Sequence, residues 1–145
     1  MNKDKKTILI IDDDNDVRET MKIVLAAEGY DVIMAKDGKT GIEKASDRLP
    51  DAIILDVMMN NKTEGFFVAQ ELRRNEKTKY IPILMITSIN KKSDFQYSPD
   101  TDGEFLPVDG FIEKPVKRKD LKNEVERILS LKKKEINICG KKSII

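Results

Sequence analysis

"ILIIDDDND", residues Ile8 to Asp16, sets four apolar side chains directly before three consecutive aspartates. With Thr7 in front, the apolar run is long enough for a short strand, and it lacks the polar alternation of a half-exposed one. A buried strand that ends by concentrating negative charge at one point needs something in space to meet those carboxylates. The overall charge does not supply it: 27 basic and 26 acidic residues leave a formal net charge of +1.

Outward from this stretch the hydrophobic pattern alternates strand with helix. A helix is predicted from about Asn15 to Glu28, with Val17, Met21, Val24 and Leu25 on one face and Gly29 as its stop. Asp31 to Ala35 reads as the second strand. Asp37-Gly38 opens a second helix carrying Ile42, Ala45 and Leu49, which ends before Pro50. Ala52 to Leu55 is the most apolar strand and belongs in the centre of a sheet. A third helix follows Gly65 and turns Phe67, Val68 and Leu72 inward. Ile81 to Thr87 forms the fourth strand, with Pro82 near its start, and Gly110 to Glu113 the fifth. Leu121, Val125, Ile128 and Leu129 mark one face of a last helix, Lys119 to Leu131.

Strands alternating with helices imply right-handed crossovers, and so an α/β fold with a parallel sheet covered on both faces. One stretch breaks the rhythm. Asn90 to Asp109 carries two prolines, a glycine and no sustained helical period where a fourth helix belongs, so that helix is expected to be shortened or replaced by a loop. The chain has 145 residues, enough for one domain, taken as 1–131, followed by a basic tail, 132–145, expected to be flexible.

Composition excludes several chemistries. A single cysteine, Cys139, forbids an intrachain disulfide, and the absence of histidine removes Ser-His and Cys-His nucleophiles and His-ligated zinc. The apolar run ending at Ile11 is too short for a signal peptide core or a membrane span, which points to a cytoplasmic protein without membrane contact. The lysines of the last helix and tail lack a recognition helix or interleaved aromatics, so no DNA-binding domain is expected in this chain.

Open parallel sheets bind ligands beyond the carboxyl ends of their strands. Here those ends carry Asp12 and Asp13, Asp56, Thr87 and Lys114, each closing an apolar run. Close carboxylate pairs repel by about 4 kcal/mol at an effective dielectric near 20. Lys114 offsets one of the three charges, and a divalent, oxygen-seeking cation such as Mg²⁺ offsets the other two. Alone, each residue has an ordinary reading: Asp14 or Asn15 as a helix N-cap, Thr87 as a strand-end hydroxyl, Lys114-Pro115 as a turn. Agreement among four strand ends is what makes the pattern specific.

At this point the sequence resembles the receiver domain of two-component response regulators. The resemblance runs from about Lys6 to Leu131 and is carried by "IIDDD", "IILDVMM", "MITS" and "FIEKP". It implies a stand-alone, CheY-like receiver with a doubly wound, flavodoxin-like five-stranded sheet in the order 2-1-3-4-5. By the same resemblance Asp56 is the phosphoacceptor, supplied by a sensor histidine kinase or a histidine phosphotransfer protein. Asp13 and Asp56 ligate Mg²⁺ directly, Asp12 acts through water, and the backbone carbonyl of Met58 is a further ligand. Thr87 and Lys114 meet phosphoryl oxygens, the Lys114–Pro115 bond is cis, and Thr87 and Phe111 form the switch that signals to an unknown downstream protein. Such a domain catalyses only its own phosphorylation and dephosphorylation, and apolar Met58 and Ile89 beside the attacking water imply a long-lived acyl phosphate.

The sequence departs from that family at Asn60, where proline is usual, in a loop one residue longer before its glycine, and at the Asn90 to Asp109 stretch. With no effector domain read after the last helix, the sequence is expected to be either a stand-alone receiver or a fragment of a longer protein. Two other readings compete. A haloacid-dehalogenase-like phosphatase would use Asp12 as nucleophile and Asp14 as general acid, with Thr87 or Ser88 and Lys114 as partners, but it leaves Asp56 unexplained. A non-phosphorylated receiver-like scaffold would keep the fold and drop the chemistry.

Overall fold

The computed structural model describes residues 5–56, 62–87 and 108–130. The strands are β1 (Thr7–Ile11), β2 (Asp31–Ala35), β3 (Ala52–Asp56), β4 (Ile83–Thr87) and β5 (Gly110–Glu113). They form one parallel sheet in the order β2-β1-β3-β4-β5, so the strand order reverses between β1 and β3. Helices α1 (Asn15–Ala27), α2 (Gly38–Arg48) and α3 (Lys62–Arg74) alternate with them, and α4 (residues 118–130) follows β5.

Successive side chains on a strand point to opposite faces, and β1 divides its four isoleucine and leucine residues accordingly. Ile8 and Ile10 join Met21, Leu25, Ile54, Leu121, Val125 and Ile128, the layer under α1 and α4. Leu9 and Ile11 join Ala45, Ile53, Leu55, Val68, Leu72 and Met85, the layer under α2 and α3. Two cores, one on each face, explain why β1, β3 and β4 read as continuous apolar runs.

Local chemistry sets the helix ends. Asp14 caps α1, its side chain accepting from the Asp16 and Val17 N–H groups. At the other end Gly29 takes φ +96°, and the Gly29 and Tyr30 N–H groups bond back to Ala26 and Leu25. Asp37 caps α2 through the Thr40 N–H, which lowers its carboxyl pKa, and Leu49 closes that helix in the left-handed region at φ 46°.

Four sequence-based expectations are corrected. Helix α3 starts at Lys62 rather than after Gly65, with that glycine buried inside it. Its inward stripe is Val68, Ala69 and Leu72, which leaves Phe67 off the stripe and 55% exposed. Leu49 is likewise 52% exposed, because the left-handed cap turns it away from the face that Ile42 and Ala45 share. Strand β4 begins at Ile83: the Ile81 N–H closes a turn onto Thr78, and Pro82 has no N–H to give. The expected loop in place of a helix, Met58, Ser88, Ile89 and the tail fall outside the described residues, except Val108 and Asp109.

Candidate functional site

The carboxyl ends of β1 and β3 meet at the reversal of strand order, where an open parallel sheet leaves a crevice. The β1 end delivers Asp12 and Asp13 there, and β3 delivers Asp56. One carboxylate oxygen from each lies within 4.8 Å of the others. Asp12 and Asp56 are buried and Asp13 is exposed, so the cluster has two buried acids behind one facing solvent.

Lys114, the residue after β5, brings Nζ to 3.2 Å from Oδ2 of Asp56. Its backbone N–H donates to the Thr87 carbonyl at 2.7 Å, which ties the ends of β4 and β5 together. The Lys114–Pro115 peptide bond is cis. Thr87 itself is buried, and Phe111, on the strand beside β4, is half-buried against the layer that contains Leu55 and Met85. The sequence-derived set Asp12, Asp13, Asp56, Thr87 and Lys114 is therefore assembled along one edge. Met58, the expected carbonyl ligand, lies outside the described residues.

Asp12 lies where burial acts directly on its carboxyl group. Burial raises its carboxyl pKa to about 7, with further upward pressure from Asp56, while the Asp14 N–H donating to Oδ1 at 2.9 Å opposes the shift. Its other oxygen, Oδ2, is buried without a hydrogen-bond partner among the described residues, and so is the hydroxyl of Thr87. Buried polar atoms without partners are uncommon, and here both belong to residues at the carboxyl edge of the sheet. Such a site is suited to take up a cation and an oxygen-rich ligand.

Arg18 did not stand out in the sequence. Its guanidinium donates to the Asp12 carbonyl at 2.7 Å and to Oδ1 of Asn15 at 2.9 Å. Nothing in a single sequence marks one arginine on a charged helix as the partner of a carbonyl six positions earlier. Beside Lys114, an apolar groove of about 280 Å³ runs between α1 and α4, walled by Val17, Met21, Val24, Val116 and Leu121.

Asp14 caps α1, and Asp56, which the phosphatase reading leaves unexplained, lies in the acid cluster. The family model for the response regulator receiver domain matches residues 8–126. This chain belongs to the response regulator receiver domain family. Among curated relatives of this receiver, the DNA-binding dual master transcriptional regulator RpaA of Synechocystis is 38% identical over 122 residues, covering 84% of this chain and 48% of that protein. The alkaline phosphatase synthesis transcriptional regulatory protein PhoP of Bacillus subtilis is 34% identical over 124 residues, covering 86% and 48%. The chain thus spans about half the length of the curated relatives it matches.

Solved structures agree on the receiver fold. A response regulator of Chloroflexus aurantiacus superimposes with a TM-score of 0.75 at 31% identity, covering 87% of this chain and 98% of that one. The chemotaxis protein CheY4 of Vibrio cholerae gives 0.73 at 28% identity, covering 86% and 98%. Among the described residues, no helix of this receiver is long and apolar enough to cross a membrane.

Proposed function

We propose that this receiver accepts a phosphoryl group on Asp56 from a phosphohistidine of a sensor histidine kinase or histidine phosphotransfer protein, in the cytoplasm, and signals by a change of conformation. The observation that carries the reading is Asp56 itself: a buried carboxylate at the switch point, paired with Lys114 at 3.2 Å and within 4.8 Å of a carboxylate oxygen from each of Asp12 and Asp13.

Phosphoryl transfer asks a protein chiefly for positioning and charge neutralisation. A carboxylate oxygen of Asp56 bonds to phosphorus as the phosphorus–nitrogen bond to the donor imidazole breaks, leaving an acyl phosphate and the free imidazole. Lys114 pairs with the incoming phosphoryl oxygens as it now pairs with Asp56. The Thr87 hydroxyl, buried without a partner among the described residues, donates to another. That new bond draws Thr87 toward the phosphoryl group, and Phe111 follows into the space vacated, so the phosphorylated state favours the inward arrangement of both.

The acid cluster fits Mg²⁺. Two buried carboxylates and an exposed third repel one another, Lys114 neutralises only part of their charge, and one buried oxygen of Asp12 has no partner among the described residues. Asp13 and Asp56 would hold the ion directly, Asp12 through water, with the Met58 carbonyl as a further ligand. When bound, the ion supplies positive charge for the phosphoryl oxygens.

Incubation with acetyl phosphate followed by intact-protein mass measurement tests the reading. One added phosphoryl mass that appears with Mg²⁺ and is lost with a chelator supports it. Absence of any adduct, together with no binding of beryllofluoride, moves the weight to a non-phosphorylated scaffold.

A further inference from the structure

The acid pair sits on a turn, and the aim of Asp13 depends on the peptide joining it to Asp12. Three bonds fix residue 12: its N–H donates to the Ala35 carbonyl at 3.1 Å, Oδ1 accepts from the Asp14 N–H, and its carbonyl accepts from Arg18 at 2.7 Å. The last of these reaches the peptide between the two aspartates. A peptide is planar, so holding the direction of the Asp12 carbonyl also holds the direction in which residue 13 leaves it.

Arg18 is well suited to that task. Its planar fork presents donors in fixed geometry and engages two acceptors at once. One is the Asp12 carbonyl and the other Oδ1 of Asn15, the first residue of α1. The side chain therefore ties the turn to the first turn of its own helix, which is separately anchored by the Asp14 cap.

We infer that Arg18 is a positioning residue for the acid cluster: it holds the Asp12–Asp13 peptide so that the Asp13 carboxylate faces Asp12 and Asp56, and thereby sets the affinity for a divalent cation. The inference rests on reading the cluster as a Mg²⁺ site. A purely electrostatic role has the opposite sign, because a guanidinium repels a cation and its removal tightens binding. Positioning requires the removal to weaken binding.

Calorimetric titration of the full chain with Mg²⁺ separates the two, using wild type, Arg18→Ala, Arg18→Lys and Asp13→Asn, each checked by its metal-free unfolding midpoint. Loss of groups that orient metal ligands commonly costs tenfold or more, and Arg18→Ala is expected to weaken Mg²⁺ by about tenfold. Arg18→Lys, which keeps a donor for the carbonyl, recovers part of that loss. Should the alanine variant fail to fold, Asn15→Ala removes the guanidinium's other acceptor and carries the test, with a smaller loss in the same direction. Unchanged or tighter binding in the variants, with wild type binding and Asp13→Asn impaired, overturns the role of Arg18 alone. No binding by wild type, or equal binding by Asp13→Asn, overturns the site reading beneath it.

Discussion

The Lys114 ammonium lies 3.2 Å from Oδ2 of Asp56, a contact between residues 58 positions apart that joins the edge strand to the centre of the sheet. Asp56 is almost wholly buried and Lys114 about one quarter exposed, so the pair is only partly screened by solvent. Removing the lysine leaves a buried carboxylate beside two others. Lys114→Ala is expected to destabilise the metal-free protein by about 1–2 kcal/mol, a figure reduced for the exposure of the lysine. Adding Asp56→Asn to that variant restores most of the loss. Urea unfolding of the two single variants and the double variant checks the coupling, and additive effects would remove it.

Acidity around Asp12 gives the metal-free protein an unusual pH dependence. Burial raises the folded-state carboxyl to about 7 from an ordinary value of 3.8. The folded protein therefore holds a proton that the unfolded chain has released. The resulting stability is fully present below the unfolded value and disappears as pH rises through about 7. Metal-free wild type should lose a few kcal/mol between about pH 4 and pH 8 from this group, since each tenfold difference in proton affinity between folded and unfolded chains is worth about 1.4 kcal/mol. Asp12→Asn flattens the profile and is the more stable protein at pH 8. Thermal unfolding across pH in the presence of chelator provides the comparison.

Gly41 marks the close approach of α2 to the end of β1. A Cβ built there would come within 2.5, 2.8 and 3.0 Å of the Cδ1, Cγ1 and Cγ2 atoms of Ile11. Ile11 is fully buried, so its side chain has little free space to move into. Gly41→Ala should destabilise by about 1–3 kcal/mol despite the better helix propensity of alanine. The companion change Ile11→Val, by removing the nearest carbon, recovers part of it. A stabilised Gly41→Ala would show that the packing relaxes freely.

Asp109 anchors the start of the edge strand. Its Oδ2 accepts from Arg73 and from the Ile83 N–H, each at 2.8 Å, and its carbonyl accepts from Arg127 at 2.7 Å. Arg73 also donates to the Lys79 and Ile81 carbonyls. Asp109→Ala strips partners from a half-buried cation and a backbone N–H, at a cost of about 2 kcal/mol. Asp109→Asn, which keeps one acceptor, should cost less. Equal losses would mean that the charge rather than the geometry carries the effect.

How much of this was legible beforehand follows from where each signal resides. The strands could be read because residues such as Ile8 to Ile11 and Ala52 to Leu55 are apolar without interruption, and the site because a polar side chain closes each run. Phe67 and Leu49 were misplaced because periodicity assigns a face without knowing where a helix starts or how its cap turns. Arg18 and Asp109 were not legible as anchors. Their partners, a backbone carbonyl and an arginine 36 positions away, are chosen by tertiary geometry and leave no local pattern. Asp109 even fell within a stretch that the sequence marked only as irregular.

Phosphoryl transfer to Asp56, proposed above, has a direct chemical test. Borohydride reduction after treatment with acetyl phosphate and Mg²⁺ converts an aspartyl phosphate to homoserine, and peptide mass mapping then identifies the modified position. Homoserine is expected in place of Asp56, none in Asp56→Asn, and no other aspartate modified in wild type. Modification at Asp12 or Asp13, or an equal yield in Asp56→Asn, would contradict it.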